Sequence, residues 1–176
     1  MAGDPLNVFV WETGDLFVWM GAAAPAAGDI PADIDTDLTT TTGKWEPAGL
    51  MLGDPGAEFT RDIDETDLNA WQLKRFRTVW KNGKVDGACT LYEDNNVTDD
   101  LIDPEGVPKQ KARYLAFEFV DAEYEHRERR ITKAKASVFV ENDSASEEPK
   151  GRPLRIRYYP DSTGKIFVIQ KGALVP

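Results

Sequence analysis

The chain reads as a mainly β protein, a β-sandwich or barrel of antiparallel hairpins with one short flanking α-helix and a long loop. Short runs rich in Val, Ile, Phe, Tyr and Trp recur along its 176 residues. Gly, Asn, Asp and Pro clusters punctuate those runs. Only one stretch carries both a helix start and a helix stop signal.

Taken in order, Asn7–Trp11 and Leu16–Met20 are β-prone runs joined by Glu12-Thr13-Gly14-Asp15, which predicts a hairpin. Both are nearly continuous in apolar residues, so both faces are expected to be covered, the outer one by a neighbouring subunit. From Gly21 to Gly43 the composition turns to Ala, Pro, Asp and Thr without a core-forming period, and an extended loop is expected. Ala57 to Asp64 alternates: Ala57, Phe59 and Ile63 fall on one face, Glu58, Thr60, Asp62 and Asp64 on the other. Gln72–Lys81 and Lys84–Tyr92 flank Asn82-Gly83, the strongest short hairpin signal in the chain.

Asp94–Ile102 is the predicted helix, with Asp94, Asn95 or Asn96 as its cap and Pro104 and Gly106 beyond its end. Tyr114–Val120 and Arg127–Val140 read as a large hairpin turning near Asp121-Ala122-Glu123. An acidic loop of low complexity follows at 142–151. Leu154–Tyr159 and Lys165–Ile169 read as a last hairpin closed by Pro160–Gly164. The whole of 1–176 is expected to form a single domain with a real core.

Hydrophobic residues at 41% and charged residues at 30% describe a globular chain. No apolar run reaches the roughly 18 residues of a membrane helix. Met1–Pro5 lacks the basic start of a signal peptide, so use in a reducing cytoplasm is expected. The net charge of −10 argues against phosphate-contact binding of nucleic acid.

Catalytic patterns are missing. His126 is the sole histidine, no H-x-x-x-H, C-x-x-C or G-x-S-x-G pattern is present, and Cys89 reads as a buried structural thiol. Asp33 with Asp35, and Asp99 with Asp100, do not form a calcium-loop series. Gly53-Asp54-Pro55-Gly56 is a turn, not a phosphate cradle. The basic cluster Arg127, Arg129, Arg130, Lys133 and Lys135 is interleaved with Glu123, Glu125 and Glu128, which predicts cross-strand ion pairs. Trp45, Trp71 and Trp80 are candidate core or interface residues. No enzyme activity and no cofactor or metal is expected. A non-catalytic β-sandwich module binding a saccharide or peptide through those tryptophans is the alternative.

Lys44-Trp45-Glu46-Pro47-Ala48-Gly49-Leu50 leads into Gly53-Asp54-Pro55-Gly56, then an alternating strand, then Trp71 and Arg75-Phe76-Arg77. This arrangement resembles the major tail protein, the tail tube subunit, of long non-contractile-tailed bacteriophages. The resemblance extends past Glu93–Asn96 to the strands after Arg113. It implies a structural virion protein that forms hexameric rings stacked into a hollow tube, assembled in the bacterial host cytoplasm. Implied partners are further copies of itself, a tape-measure protein and tail terminator or tip proteins, with genomic DNA passing through without specific binding. A related tip or terminator component fits the same resemblance. In such proteins long loops bridge adjacent rings, and 21–43 is the candidate here, expected to be mobile in the free subunit. Glu58, Asp62 and Asp64 are the candidate lumen-facing carboxylates, since an acidic wall would keep DNA from adhering.

Overall fold

The computed structural model describes residues 11, 13–54, 56–70, 73–93, 95–103, 106–107, 109–121, 126–141 and 151–173. The expected run Asn7–Val10, the turn residues 122–123, Trp71 and most of the acidic loop 142–151 lie outside them.

The strands are β1 (Thr13–Trp19), β2 (Trp45–Pro47), β3 (Glu58–Ala70), β4 (Leu73–Leu91), β5 (Lys111–Arg113), β6 (Leu115–Asp121), β7 (His126–Thr132), β8 (Ala136–Val140), β9 (Arg152–Tyr158) and β10 (Phe167–Ala173). They form two antiparallel five-stranded sheets, ordered β10-β7-β6-β1-β2 and β3-β4-β9-β8-β5. The protein is therefore mainly β, as its sequence predicts. Leu16, Val18, Leu115 and Phe117 from the first sheet meet Cys89, Val138, Leu154 and Ile156 from the second in one buried core. Alternation along each strand supplies this: every second residue turns inward.

Helix α2 (Asn96–Ile102) is where the helix signal lies. The Asn95 side chain accepts from the backbone N–H groups of Val97 and Thr98, satisfying donors that a helix start leaves open, and Val97 and Leu101 are buried.

Four connections differ from the sequence-based expectation. The turn expected at Thr13–Asp15 is strand, and the run Asn7–Val10 expected to pair with β1 lies outside the described residues. The Thr13–Val18 stretch of β1 pairs with β6 and its Phe17–Trp19 stretch with β2. Asn82-Gly83 is not a turn either, because β4 runs through it. Asp62 is opposite Lys84 and Asp64 opposite Lys81, so Asn82 and Gly83 together face Ile63 in a bulge. A bulge and a hairpin turn draw on the same residues, those that tolerate unusual backbone angles. The hairpin closes instead between Ala70 and Leu73.

Arg127–Val140 is two strands, not one. β7 belongs to the first sheet and β8 to the second, with a corner at Lys133–Lys135 between them. Likewise β9 and β10 form no hairpin but lie in opposite sheets. Asp161 builds that crossing by accepting from the N–H groups of Thr163 and Lys165. Lys133 pairs with Asp161, and its N–H donates to the Ile166 carbonyl at 2.8 Å, so the two corners brace each other. These contacts hold the Asp161 carboxyl well below its usual range, the Lys133 ammonium foremost.

Candidate assembly surface

Two extensions leave the sandwich. One folds back on it and the other projects away.

The sequence predicts an extended loop at 21–43, with no helix assigned. Instead the segment holds a 3-10 turn (Ala27–Asp29) and helix α1 (Leu38–Thr42), capped by Asp37 through the Thr39 N–H. It straps the outer face of the first sheet. Leu38 joins Trp19, Trp45, Ala116 and Ile131 in a second buried cluster. The indole N–H groups of Trp19 and Trp45 donate to the carbonyls of Ala23 at 2.7 Å and Asp29 at 2.9 Å. Trp45 is 1% exposed and packs on Trp19 with ring centres 5.2 Å apart. The apolar outer face of β1 is thus covered from within the chain, not by a neighbouring subunit.

Arg129 fastens the strap. Its side chain is fully buried. Nε donates to Glu118, Nη1 to the Asp33 carbonyl and the Gln170 side chain, and Nη2 to the carbonyls of Ile34 and Thr36. Every guanidinium donor is occupied, which a buried charge requires. Gln170 adds a bond from its amide to the Pro31 carbonyl at 2.6 Å. The sequence reading placed Arg129 only in an ion-paired basic cluster. Cross-strand pairs do exist there, Arg129 and Arg127 with Glu118 and Lys171 with Glu128, while Arg130 pairs with Glu128 along one strand. The grip on three carbonyls some ninety residues upstream had no signal in local spacing.

Asp29 and Asp33 lie in the strap, and both carboxyls are held below their ordinary value of 3.8. For Asp29 the main cause is the Ala26 N–H, and for Asp33 it is the hydroxyl and N–H of Thr36.

The projecting extension is the β3–β4 ribbon. β9 pairs with β4 only from Val85 to Leu91, so the ribbon beyond Asp62 and Lys84 leaves the second sheet. Asp64–Ala70 at about 3.3 Å per residue gives a reach of about 20 Å. Ile63 and Leu68 on this ribbon are 51% and 39% exposed. Thr78 donates to Asp67 at 2.7 Å and Lys84 pairs with Asp62 at 2.9 Å, which lowers the Asp62 pKa. Trp80 lies opposite Glu65 in the ladder.

The candidate lumen carboxylates all lie on β3. Glu58 and Asp62 share a side of β3 with Thr60, which lines a cleft of about 490 Å³ on the outer face of the second sheet with Asp86, Ser137, Phe139 and Arg157. Asp64 lies past the bulge, opposite Lys81. Charge on this face is compensated: Arg157 binds Asp86 at 2.9 Å and Arg155 binds Glu141 at 2.7 Å. Phe59 turns into the core as alternation predicts, but Ile63 does not, because the strand has left the sandwich by then.

Chemistry-bearing residues stay apart. Cys89 is buried, and desolvation pushes its thiol up to about 12. His126 begins β7 opposite Ala173. Among the described residues no group of His, Cys, Asp and Glu is placed to hold a metal ion, and no helix is long and apolar enough to cross a membrane. No protein-family model matches the chain, and no curated protein matches it.

Proposed function

We propose that this chain is a self-assembling structural protein of the tail-tube kind, whose subunits join as rings that stack into a hollow tube for the passage of DNA. The observation that carries this reading is the β3–β4 ribbon, a long two-stranded arm leaving a closed sandwich. An isolated two-stranded hairpin is marginal in water. An edge strand offers backbone donors and acceptors to another strand. Subunit-to-subunit pairing would supply both stability and growth, and stacked head-to-tail contacts propagate as a filament. The further partners, a tape-measure protein, a terminator and tip proteins, follow from the sequence resemblance. So do the hexameric ring and the virion setting.

The ribbon replaces the strap as the candidate stacking arm. Deleting 24–40 would uncover Trp19 and Trp45 and unmake the fold, so the informative deletion is 64–81. Electron microscopy of the purified full-length chain should show rings or tubes, and the ribbon-deleted chain should remain a folded monomer. A full-length protein that stays monomeric at high concentration would sink the proposal.

A binding module is the second reading, favoured by the cleft around Ser137 and Arg157. Trp45 cannot serve it as a stacking platform, because the strap buries it. Retention on a saccharide matrix that Phe139→Ala abolishes would support this reading against assembly.

A further inference from the structure

The ribbon is segregated by charge. β3 carries Glu58, Asp62, Asp64, Glu65 and Asp67 against Arg61, whereas β4 carries Lys74, Arg75, Arg77, Lys81 and Lys84 against Asp86. Within one copy the register joins opposites, with Asp62 across from Lys84 and Asp64 across from Lys81. Each strand also has a second edge. β3 ends its sheet, and from residue 73 to residue 84 β4 has no second neighbour strand among the described residues. One edge of the ribbon is therefore an acidic strand and the other a basic one.

We infer that these two unlike edges pair with each other between copies of this chain, β3 of one copy against β4 of the next. The inference takes its purpose from the assembly reading above, but its physics stands on the ribbon alone. Opposite charges facing each other across strands stabilise a pair, and like charges directly opposite destabilise it. Pairing β3 with β3, or β4 with β4, would bring together strands of mostly like charge. Pairing β3 with β4 gives each acidic strand a basic strand on both sides.

The geometry agrees with the charge. β3 and β4 are antiparallel within a copy. Ribbons that all point the same way therefore place β3 of one copy antiparallel to β4 of the next, and the ladder continues unbroken. A contact between two different edges is also head-to-tail. It closes into a ring or runs on as a filament, whereas a contact between identical edges stops at a dimer. Charge segregation along the ribbon thus selects open-ended assembly over dimerisation.

A charge-exchanged full-length chain tests this. Asp64→Lys, Glu65→Lys and Asp67→Lys are combined with Arg75→Glu, Arg77→Glu and Lys81→Glu, which keeps positions 64 and 81 opposite in charge inside the ribbon. Wild-type and exchanged chains carry different fluorophores, and association is read by energy transfer at low salt. Each chain should associate with itself, and mixed association should be at least about tenfold weaker, because both mixed contacts place like charges opposite each other. Added salt should erode the discrimination. Equal mixing, or no self-association by the wild type, would overturn the inference. Should the exchanged chain not fold, two otherwise wild-type proteins, Thr66→Cys and Thr78→Cys, are treated with a short thiol cross-linker. Cross-links should form between the two variants when mixed, and equally efficient cross-linking of Thr66→Cys with itself would refute the pairing. Selective association without tubes under the microscope would remove the proposed function and leave this inference standing.

Discussion

The strap and the ribbon are both long excursions from the same sandwich, and they end in opposite states. The strap is poor in large apolar residues, yet Leu38 and Ile34 are almost wholly buried and a buried arginine holds its carbonyls. The ribbon is paired strand interrupted by two register shifts, yet past the first its described side chains are exposed or half-buried. Regularity and burial are therefore separate properties. The strap is irregular because its carbonyls face Arg129 and Gln170 instead of a ladder. The ribbon keeps its strand form because its two strands pair with one another.

The sharpest way to break this contrast is Arg129→Leu. It leaves Glu118 with only the longer Arg127 contact at 3.6 Å and three carbonyls without their donor, and removing one partner of a buried pair costs about 3–5 kcal/mol. Urea unfolding should show a loss of that size, with the indoles of Trp19 and Trp45 becoming accessible to acrylamide. An unchanged midpoint would mean the strap is held by packing alone.

Leu38→Ala comes next. Truncating a buried leucine costs about 2–5 kcal/mol, the spread reflecting how far the site can collapse. The strap lies at an edge of the structure and can settle inward, which places the expected loss in the lower half of that range. Thermal unfolding checks it.

The acid response of the strap is smaller and has a defined sign. Asp29 and Asp33 are depressed in the folded state. Their contribution is fully present above the ordinary value of 3.8 and is lost as the pH falls through their lower folded values. Indole fluorescence should report the strap loosening below about pH 4, and the double variant Asp29→Asn, Asp33→Asn should flatten that response. A response unchanged by the double variant would assign it to other carboxylates.

The smallest expected effect is on the ribbon. Ile63→Ser and Leu68→Ser should shift monomer stability by no more than about 0.5 kcal/mol, as exposed substitutions do. Assembly should suffer nonetheless, and light scattering against concentration separates the two effects.

Sequence reading was reliable where one local rule acted alone. The Asn95 cap and the apolar stripe of Val97 and Leu101 located α2, and the alternation through Phe59 located the buried face of β3. It failed wherever a local signal had two structural meanings. Asn82-Gly83 serves a bulge as well as a turn. A loop such as Pro160–Gly164 joins strands of opposite sheets as readily as neighbours in one sheet. It failed also where the deciding contact was remote: nothing near Asp33 announces Arg129. Of the candidate core or interface residues, Trp45 is core; of the candidate lumen-facing carboxylates, Asp62 is paired with Lys84.

The placement of β1 has a consequence for how the chain comes to be folded. Thr13 pairs with Val120 and Val18 with Leu115, so the middle of the first sheet joins residues about one hundred positions apart. On a ribosome, the N-terminal strand emerges long before its partner exists. Until β6 arrives, Leu16, Phe17, Val18 and Trp19 form an unpaired apolar stretch of high strand propensity. Topologies dominated by such distant pairings fold in roughly milliseconds to seconds, not microseconds. The β3–β4 ribbon, whose partners are close in sequence, can zip up meanwhile on the microsecond scale of hairpins. The ribbon is then formed before the body that carries it is complete.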